Sequence, residues 1–399
     1  MKRQRHKEAK ARSSGATRLC SSVPLRQSKI VNQLENLEFR MENKEGIADC
    51  RLQIDDCQIE NYFPPFKLVA DELGRVRELI NEQLTAPAPA SAFAGLNSSL
   101  RKHRTGDVSR LVEYISVRSG KMMRPGLVLL AGGCFGKITN QHIQIAAILE
   151  MMHNATLLHD DVMDEGQKRR GLPTINSLCG NEIAVLLGDF LLSRVFKMCA
   201  ELETPVAKVV AASAVRLCEG ELGQVIQKHN WRLTESEYIE IITEKSAVLF
   251  SSACFLGALL AQASESHARL LADFGLNIGI AFQITDDLLD IVGDESKTGK
   301  TLGTDVDKHK LTLAVIHLLK AADEREKKVI IGSYLDRKDA RCDKGALVKM
   351  LGRYGSLDYA RSRAQEFVDT ALQALTDLKR SDAKDALIEI AGFMVGRAT

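Results

Sequence analysis

A chain of 399 residues, 45% hydrophobic and 27% charged, is long enough for one large core or two domains. A net charge of +2 leaves no electrostatic footprint for bulk nucleic-acid binding, so no nucleic-acid partner is expected. No run reaches the roughly 18 uninterrupted apolar residues of a membrane span, which restricts expected membrane contact to the periphery.

Residues 1–30 carry nine Lys or Arg against a single acid, Glu8, and residues 1–62 read as a basic, disordered extension. The cytoplasm is the expected location; organellar import directed by this acid-poor start is the alternative. Residues 64–399 read as one helical domain. Phe66–Leu84 lines Leu68, Val69, Leu73, Val76, Leu79 and Ile80 along one side of a helix, until the Ala-Pro alternation over 86–90 breaks it. From Val108 onward helical patterns follow one another, interrupted at Gly132-Gly133, Gly171-Leu172-Pro173, Thr204-Pro205 and Gly293-Asp294. Strand and hairpin signals are essentially absent, so the fold class is all-α. The nine cysteines form no CxxC and no regular spacing, and read as buried, reduced thiols.

The chemistry-bearing residues punctuate these helices. Gly120, Lys121, Arg124 and Pro125 precede an apolar helix starting near Leu127, and form either a phosphate clamp or a solvated basic turn. Glu150, His153 and Leu157 then lead at helical spacing to Asp160-Asp161-Val162-Met163-Asp164. His153 is either a donor to a bound anion or a structural histidine. Arg169-Arg170 offers charge compensation or donors to phosphate oxygens. Thr243-Glu244-Lys245-Ser246 interrupts an apolar helical region, aiming Lys245 at a cavity. Gln283 lies one turn before a second cluster, Asp286-Asp287-Leu288-Leu289-Asp290, and Lys297, Lys300 and Lys310 follow it.

Residues four apart share a helix face, so Asp160 points with Asp164 and Asp286 with Asp290. Each pair repels by about 1 kcal/mol at ~4 Å in water and ~4 kcal/mol at an effective dielectric of ~20. Hard oxygen donors without a cysteine cluster suit Mg2+, which takes one or two carboxylates plus phosphate oxygens. Two such clusters facing each other would hold one polyphosphate.

These residues resemble the trans-isoprenyl (polyprenyl) diphosphate synthases over about 64–399. Gly120-Lys121-x-x-Arg124-Pro125 looks like that family's GGKxxRP, with Ser119 replacing the first Gly. Leu157–Asp164 followed by Arg169-Arg170-Gly171 is similar to its first aspartate-rich region, Gly188-Asp189-Phe190-Leu191 to its GDxL helix, and Phe282–Asp290 to its second aspartate-rich region. Ser246, His309 and Ala314 depart from residues common there.

The resemblance implies an isoprenoid synthase-type helical bundle around a central cavity, working as a homodimer. Asp160, Asp161, Asp164, Asp286, Asp287 and Asp290 would bind about three Mg2+ together with the diphosphate. Arg169, Lys245, Ser246, Gln283, Lys300 and Lys310 would contact an allylic diphosphate. Lys121, Arg124, His153 and Arg170 would hold isopentenyl diphosphate. Asp160, Asp161, Asp164, Lys245, Asp286 and Asp287 are the expected catalytic set.

Chain length in this family depends on residues shortly before the first cluster. Here these are Ala155 and Thr156, neither aromatic, so a long all-trans product for a respiratory quinone side chain is expected. A C15–C20 synthase is the alternative. A terpene cyclase fits less well, because the second cluster is a full DDxxD and aromatic residues are scarce. A non-catalytic partner subunit would be expected to have eroded aspartates.

Overall fold

The computed structural model describes residues 63–86, 111–112, 114–115, 120–293, 310–332 and 344–396. The expectations placed on residues 1–62, on Ser119, on Lys297 and Lys300 and on His309 lie outside them.

After a 3-10 turn at Pro64–Val69, the first helix, α1, runs over Ala70–Thr85 and buries Leu73, Val76 and Leu84. Helix α2 covers Met123–Gly133, with Pro125 in its first turn, where a missing N–H costs nothing. Helix α3, Asn140–Met163, carries the first aspartate cluster at its C-terminal end. Its start is tied down by His142, whose Nδ1 accepts from the Thr139 backbone at 3.1 Å, leaving Nε2 to donate to the Gly257 carbonyl at 3.1 Å.

A two-residue hairpin follows, Lys168–Arg169 (β1) against Leu172–Pro173 (β2), with Arg169 paired to Leu172. These residues carry no strand signal, so this element corrects the expectation of an all-helical chain. Both turn residues, Arg170 and Gly171, have positive φ (54° and 77°), the signature of a tight primed turn. The remaining helices are α4 (Ile175–Cys179), α5 (Asn181–Cys199), α6 (Thr204–Ile226) and α7 (Glu235–Ile242). Then come α8 (Val248–Leu260), α9 (Glu265–Val292), α10 (Leu313–Ala321) and α11 (Glu324–Ile330). Helices α12 (Lys344–Arg353), α13 (Ser356–Ala374) and α14 (Asp382–Gly396) complete the described chain.

Helix α9 is 28 residues long, about 42 Å at the usual rise, and packs against α8, α10, α12, α13 and α14. It buries Phe274, Ile278, Ile284 and Leu288, each worth roughly 1.5–3 kcal/mol of apolar burial. Between α7 and α8 the chain winds into a π segment at Thr243–Ala247. The continuous helix Glu235–Leu260 is long and apolar enough, by length and composition, to cross a membrane, yet 67% of its most apolar window is buried inside the protein. It is a core helix interrupted by the polar residues of that segment.

Candidate active site

At the end of α3 the three aspartates part company. Asp161 is only 4% exposed, and its Oδ1 accepts from Arg169 Nε and Nη2, both at 2.8 Å. Its backbone carbonyl accepts from Asn176 Nδ2 at 3.0 Å, and the Thr174 hydroxyl donates to the Gly166 carbonyl at 2.6 Å. These bonds fold the hairpin back onto the cluster. Asp160 and Asp164 take the other face. Both oxygens of Asp164 accept from Lys310 Nζ, at 2.9 and 2.8 Å. Burial pushes the Asp160 carboxyl up; Asp164 adds to the rise, while Lys245, Arg169 and Lys310 oppose it.

Neighbouring α5 steadies this end of α3. His159 Nε2 donates to the Val185 carbonyl at 3.2 Å and lies 3.5 Å from Asp189 Oδ1. A Cβ on Gly188 would sit 2.2 Å from that same nitrogen, so the Gly-Asp pair of the GDxL stretch is a seat for His159.

The π segment links the two clusters. Widened turns of this kind redirect side chains and recur at functional sites. Lys245 Nζ donates to Glu221 Oε2 at 3.0 Å and Gln224 Oε1 at 2.9 Å, both on α6. Burial alone would lower its pKa, but Asp160, Glu221 and Asp164 together raise it, so Lys245 is a fixed cation. Its neighbour Ser246 donates to Gln283 Oε1 at 2.7 Å, and Gln283 Nε2 donates to Asp287 Oδ1 at 2.7 Å. The other Asp287 oxygen accepts from the Tyr238 hydroxyl at 2.6 Å. Asp287, 9% exposed, is thereby held on both oxygens, whereas half-buried Asp286 and Asp290 share the adjacent face.

In each motif residues one and five share a helix face, while residue two is held by protein donors, Asp161 by Arg169 and Asp287 by Gln283 and Tyr238; in the first motif Lys310 holds residue five, Asp164, as well. Among the described residues no three His, Cys, Asp or Glu side chains gather at one point to hold a metal ion unaided. Pairs of carboxylates with charge to offset are nonetheless what Mg2+ takes when phosphate oxygens and water complete its shell. The donor set fits that ion.

The second group of basic residues lies just before and on α2, on α3 and on the hairpin. Arg124 is 8% exposed, its guanidinium carbon is 4.8 Å over the Phe250 ring, and burial pushes its pKa down to about 10. Lys121 is exposed, with Nζ 4.4 Å over the Phe393 ring of α14. Half-buried His153 accepts the Thr156 hydroxyl on its carbonyl at 2.8 Å. Arg170 sits at the hairpin tip. A narrow cleft of about 30 Å3 runs past Asn154, Leu157, Leu158, Asp161, Arg169 and Arg170. Ala155 is fully buried beside it. A larger groove, about 350 Å3, is lined by Ser252, Phe255, Arg269 and Asp273 and includes none of the predicted site residues.

Glu221, Gln224, Tyr238, Thr174 and Asn176 were not singled out by sequence reasoning. Each acts through a partner distant in the chain, and no local spacing announces it.

The family model for polyprenyl synthetase matches residues 106–351. The octaprenyl diphosphate synthase of Escherichia coli is 36% identical over 324 residues, covering 80% of this chain and 98% of the relative. A short chain isoprenyl diphosphate synthase of Methanothermobacter thermautotrophicus is 36% identical over 293 residues, covering 72% and 90%. Among solved structures, the polyprenyl synthase from Caulobacter crescentus complexed with calcium and isoprenyl diphosphate superposes with a TM-score of 0.75 at 29% identity, covering 84% of this chain and 97% of that one. With a family model matching more than half of the chain and relatives covered over nearly their whole length, the chain belongs to the polyprenyl synthetase family, the trans-prenyltransferases that build prenyl diphosphates.

Proposed function

We propose that this chain is a catalytic, Mg2+-dependent synthase that adds isopentenyl diphosphate repeatedly to an allylic diphosphate, giving a long all-trans polyprenyl diphosphate suited to a quinone side chain. The observation that carries this reading is the pair of lysines at the acid clusters: Lys245 is held by Glu221 and drawn by Asp160 and Asp164, and Lys310 sits on Asp164. These are cations available to diphosphate oxygens once the carboxylates engage metal.

In this reading Asp160, Asp164, Asp286 and Asp290 hold the metal ions, and Asp161 and Asp287 keep the two helix ends in position. Bound Mg2+ would stabilise negative charge building on the pyrophosphate leaving group. Lys245, Lys310, Arg169 and Gln283, now donating to Glu221, Asp164, Asp161 and Asp287, would turn donors to the same oxygens. Lys121, Arg124, His153 and Arg170 hold isopentenyl diphosphate so that its double bond meets the allylic carbon. The apolar side of the cleft, at Leu157 and Leu158, keeps water from the allylic cation. A proton then leaves to the released pyrophosphate, and the chain is five carbons longer.

Relatives of equal identity include octaprenyl and short-chain synthases, so identity does not choose the product length. Residues 148–156 of α3 do: Ala155 and Thr156 are small, and no Phe, Tyr or Trp stands among them. The test is a chain-length chromatogram after incubation with farnesyl diphosphate, labelled isopentenyl diphosphate and Mg2+. Products well beyond C20 are expected, shortening when Ala155→Phe is introduced. Accumulation of C15 or C20 alone from the unaltered chain would overturn the long-chain reading.

A further inference from the structure

Helix α6 lies against the π segment and meets it along three successive turns. Arg216 Nε and Nη2 donate to the two carboxylate oxygens of Glu244, each at 2.6 Å. One turn on, a Cβ on Gly220 would lie 2.3 Å from the Lys245 backbone nitrogen, so the two main chains touch where only glycine leaves room. Farther along, Lys245 Nζ donates to Glu221 Oε2 at 3.0 Å and to Gln224 Oε1 at 2.9 Å. Arg216, Gly220 and Gln224 are four apart and share one helix face.

The Lys245 and Glu221 side chains are 15% and 18% exposed, and Glu221 Oε1 is also 3.0 Å from Nζ. A lysine stem is flexible through four carbons, so its charge stands where acceptors fix it. An ammonium has three N–H groups; two bonds to α6 set its place while it can still turn toward a diphosphate oxygen. Asp160 and Asp164 also draw this cation, and with nothing on α6 to oppose them it would settle against the first cluster. Lys310 shows that outcome, its Nζ seated on both oxygens of Asp164.

We infer that Glu221 and Gln224 are positioning residues, a cradle on α6 that holds Lys245 off the first aspartate cluster and ready for the allylic diphosphate. The inference rests on the proposed role of Lys245. Both residues act through that lysine. Glu221 supplies the opposing charge, Gln224 a neutral second acceptor, and Gly220 the clearance that brings Lys245 to both. The isopentenyl diphosphate side, on α2 and the hairpin, is left alone.

The experiment is a double-mutant cycle of Glu221→Gln, Lys245→Met and the two combined, in steady-state kinetics with farnesyl diphosphate, isopentenyl diphosphate and saturating Mg2+. Glu221→Gln is expected to lower kcat roughly tenfold while KM for isopentenyl diphosphate stays within about twofold. Lys245→Met is expected to lower kcat by about 10²-fold, and adding Glu221→Gln to it should cost less than about twofold more. Gln224→Met should follow the same pattern with a loss of roughly threefold. A residue that merely supports the fold would slow both backgrounds alike, and equal losses overturn the inference. So does a wild-type kcat in Glu221→Gln. If Glu221→Gln does not fold, Glu221→Asp, whose carboxylate is withdrawn by one methylene, enters the same cycle with a smaller loss expected. Lys245→Met alone separates the two levels. If it slows turnover and the Glu221 variants do not, only the inference fails; if it keeps the wild-type kcat, the role of Lys245 fails and takes the inference with it.

Discussion

Asp287 has a donor on each oxygen, Tyr238 on one and Gln283 on the other. A buried carboxylate stripped of one donor costs about 1–3 kcal/mol, more if the charge is left poorly solvated. Tyr238→Phe is therefore expected to destabilise the protein by about 1–3 kcal/mol in urea unfolding. It should also slow turnover, because the end of α9 that presents Asp286 and Asp290 loses an anchor. A variant with wild-type stability and rate would show that the hydroxyl does not hold Asp287. The pairing of Asp160 with Asp164 was legible because helical spacing alone dictates it. Charge compensation was one of two readings open for Arg169, but its bond to Asp161 was not legible as such, since it depends on a hairpin turning the chain back within eight residues.

At the level of elements, the long helices follow from apolar periodicity, whereas the two short departures from it were opaque. Thr243-Glu244-Lys245-Ser246 was visible as a polar interruption, but nothing in its composition distinguishes a widened turn from a helix end. The hairpin escaped because Gly171-Leu172-Pro173 reads as a plain breaker, and Arg170 is an unusual residue for positive φ. Helices α5 and α6 raise a different matter. Of eleven exposed large hydrophobic residues among those described, seven lie there: Val185, Leu186, Phe196, Val215, Leu222, Val225 and Ile226. Val215, Leu222 and Ile226 recur at helical spacing, forming an apolar stripe of the kind that marks a subunit interface. We propose that this stripe is where two copies meet. Sedimentation should give twice the 44.0 kDa chain mass, and Leu222→Glu should shift it toward monomer. A wild-type monomer at micromolar concentration would contradict the proposal.

For the whole molecule, the sequence alone supported an all-helical frame and the identity of both acid clusters, because each is a local pattern on a strongly periodic background. It could not show how the frame joins them. That joint is built from residues scattered along the chain: Glu221 and Gln224 beneath Lys245, Ser246 reaching Gln283, and Lys310 on Asp164. In the proposed mechanism the joint makes the two clusters one electrostatic unit, which neither cluster can replace. The most direct measurement is the rate of labelled isopentenyl diphosphate incorporation as Mg2+ is titrated into chelator-stripped enzyme, for wild type, Asp160→Asn and Asp286→Asn. The account predicts no turnover without the metal and a loss of roughly 10²–10³ in kcat for either substitution at saturating Mg2+. Full turnover in chelator, or a wild-type rate from either single variant, would contradict it.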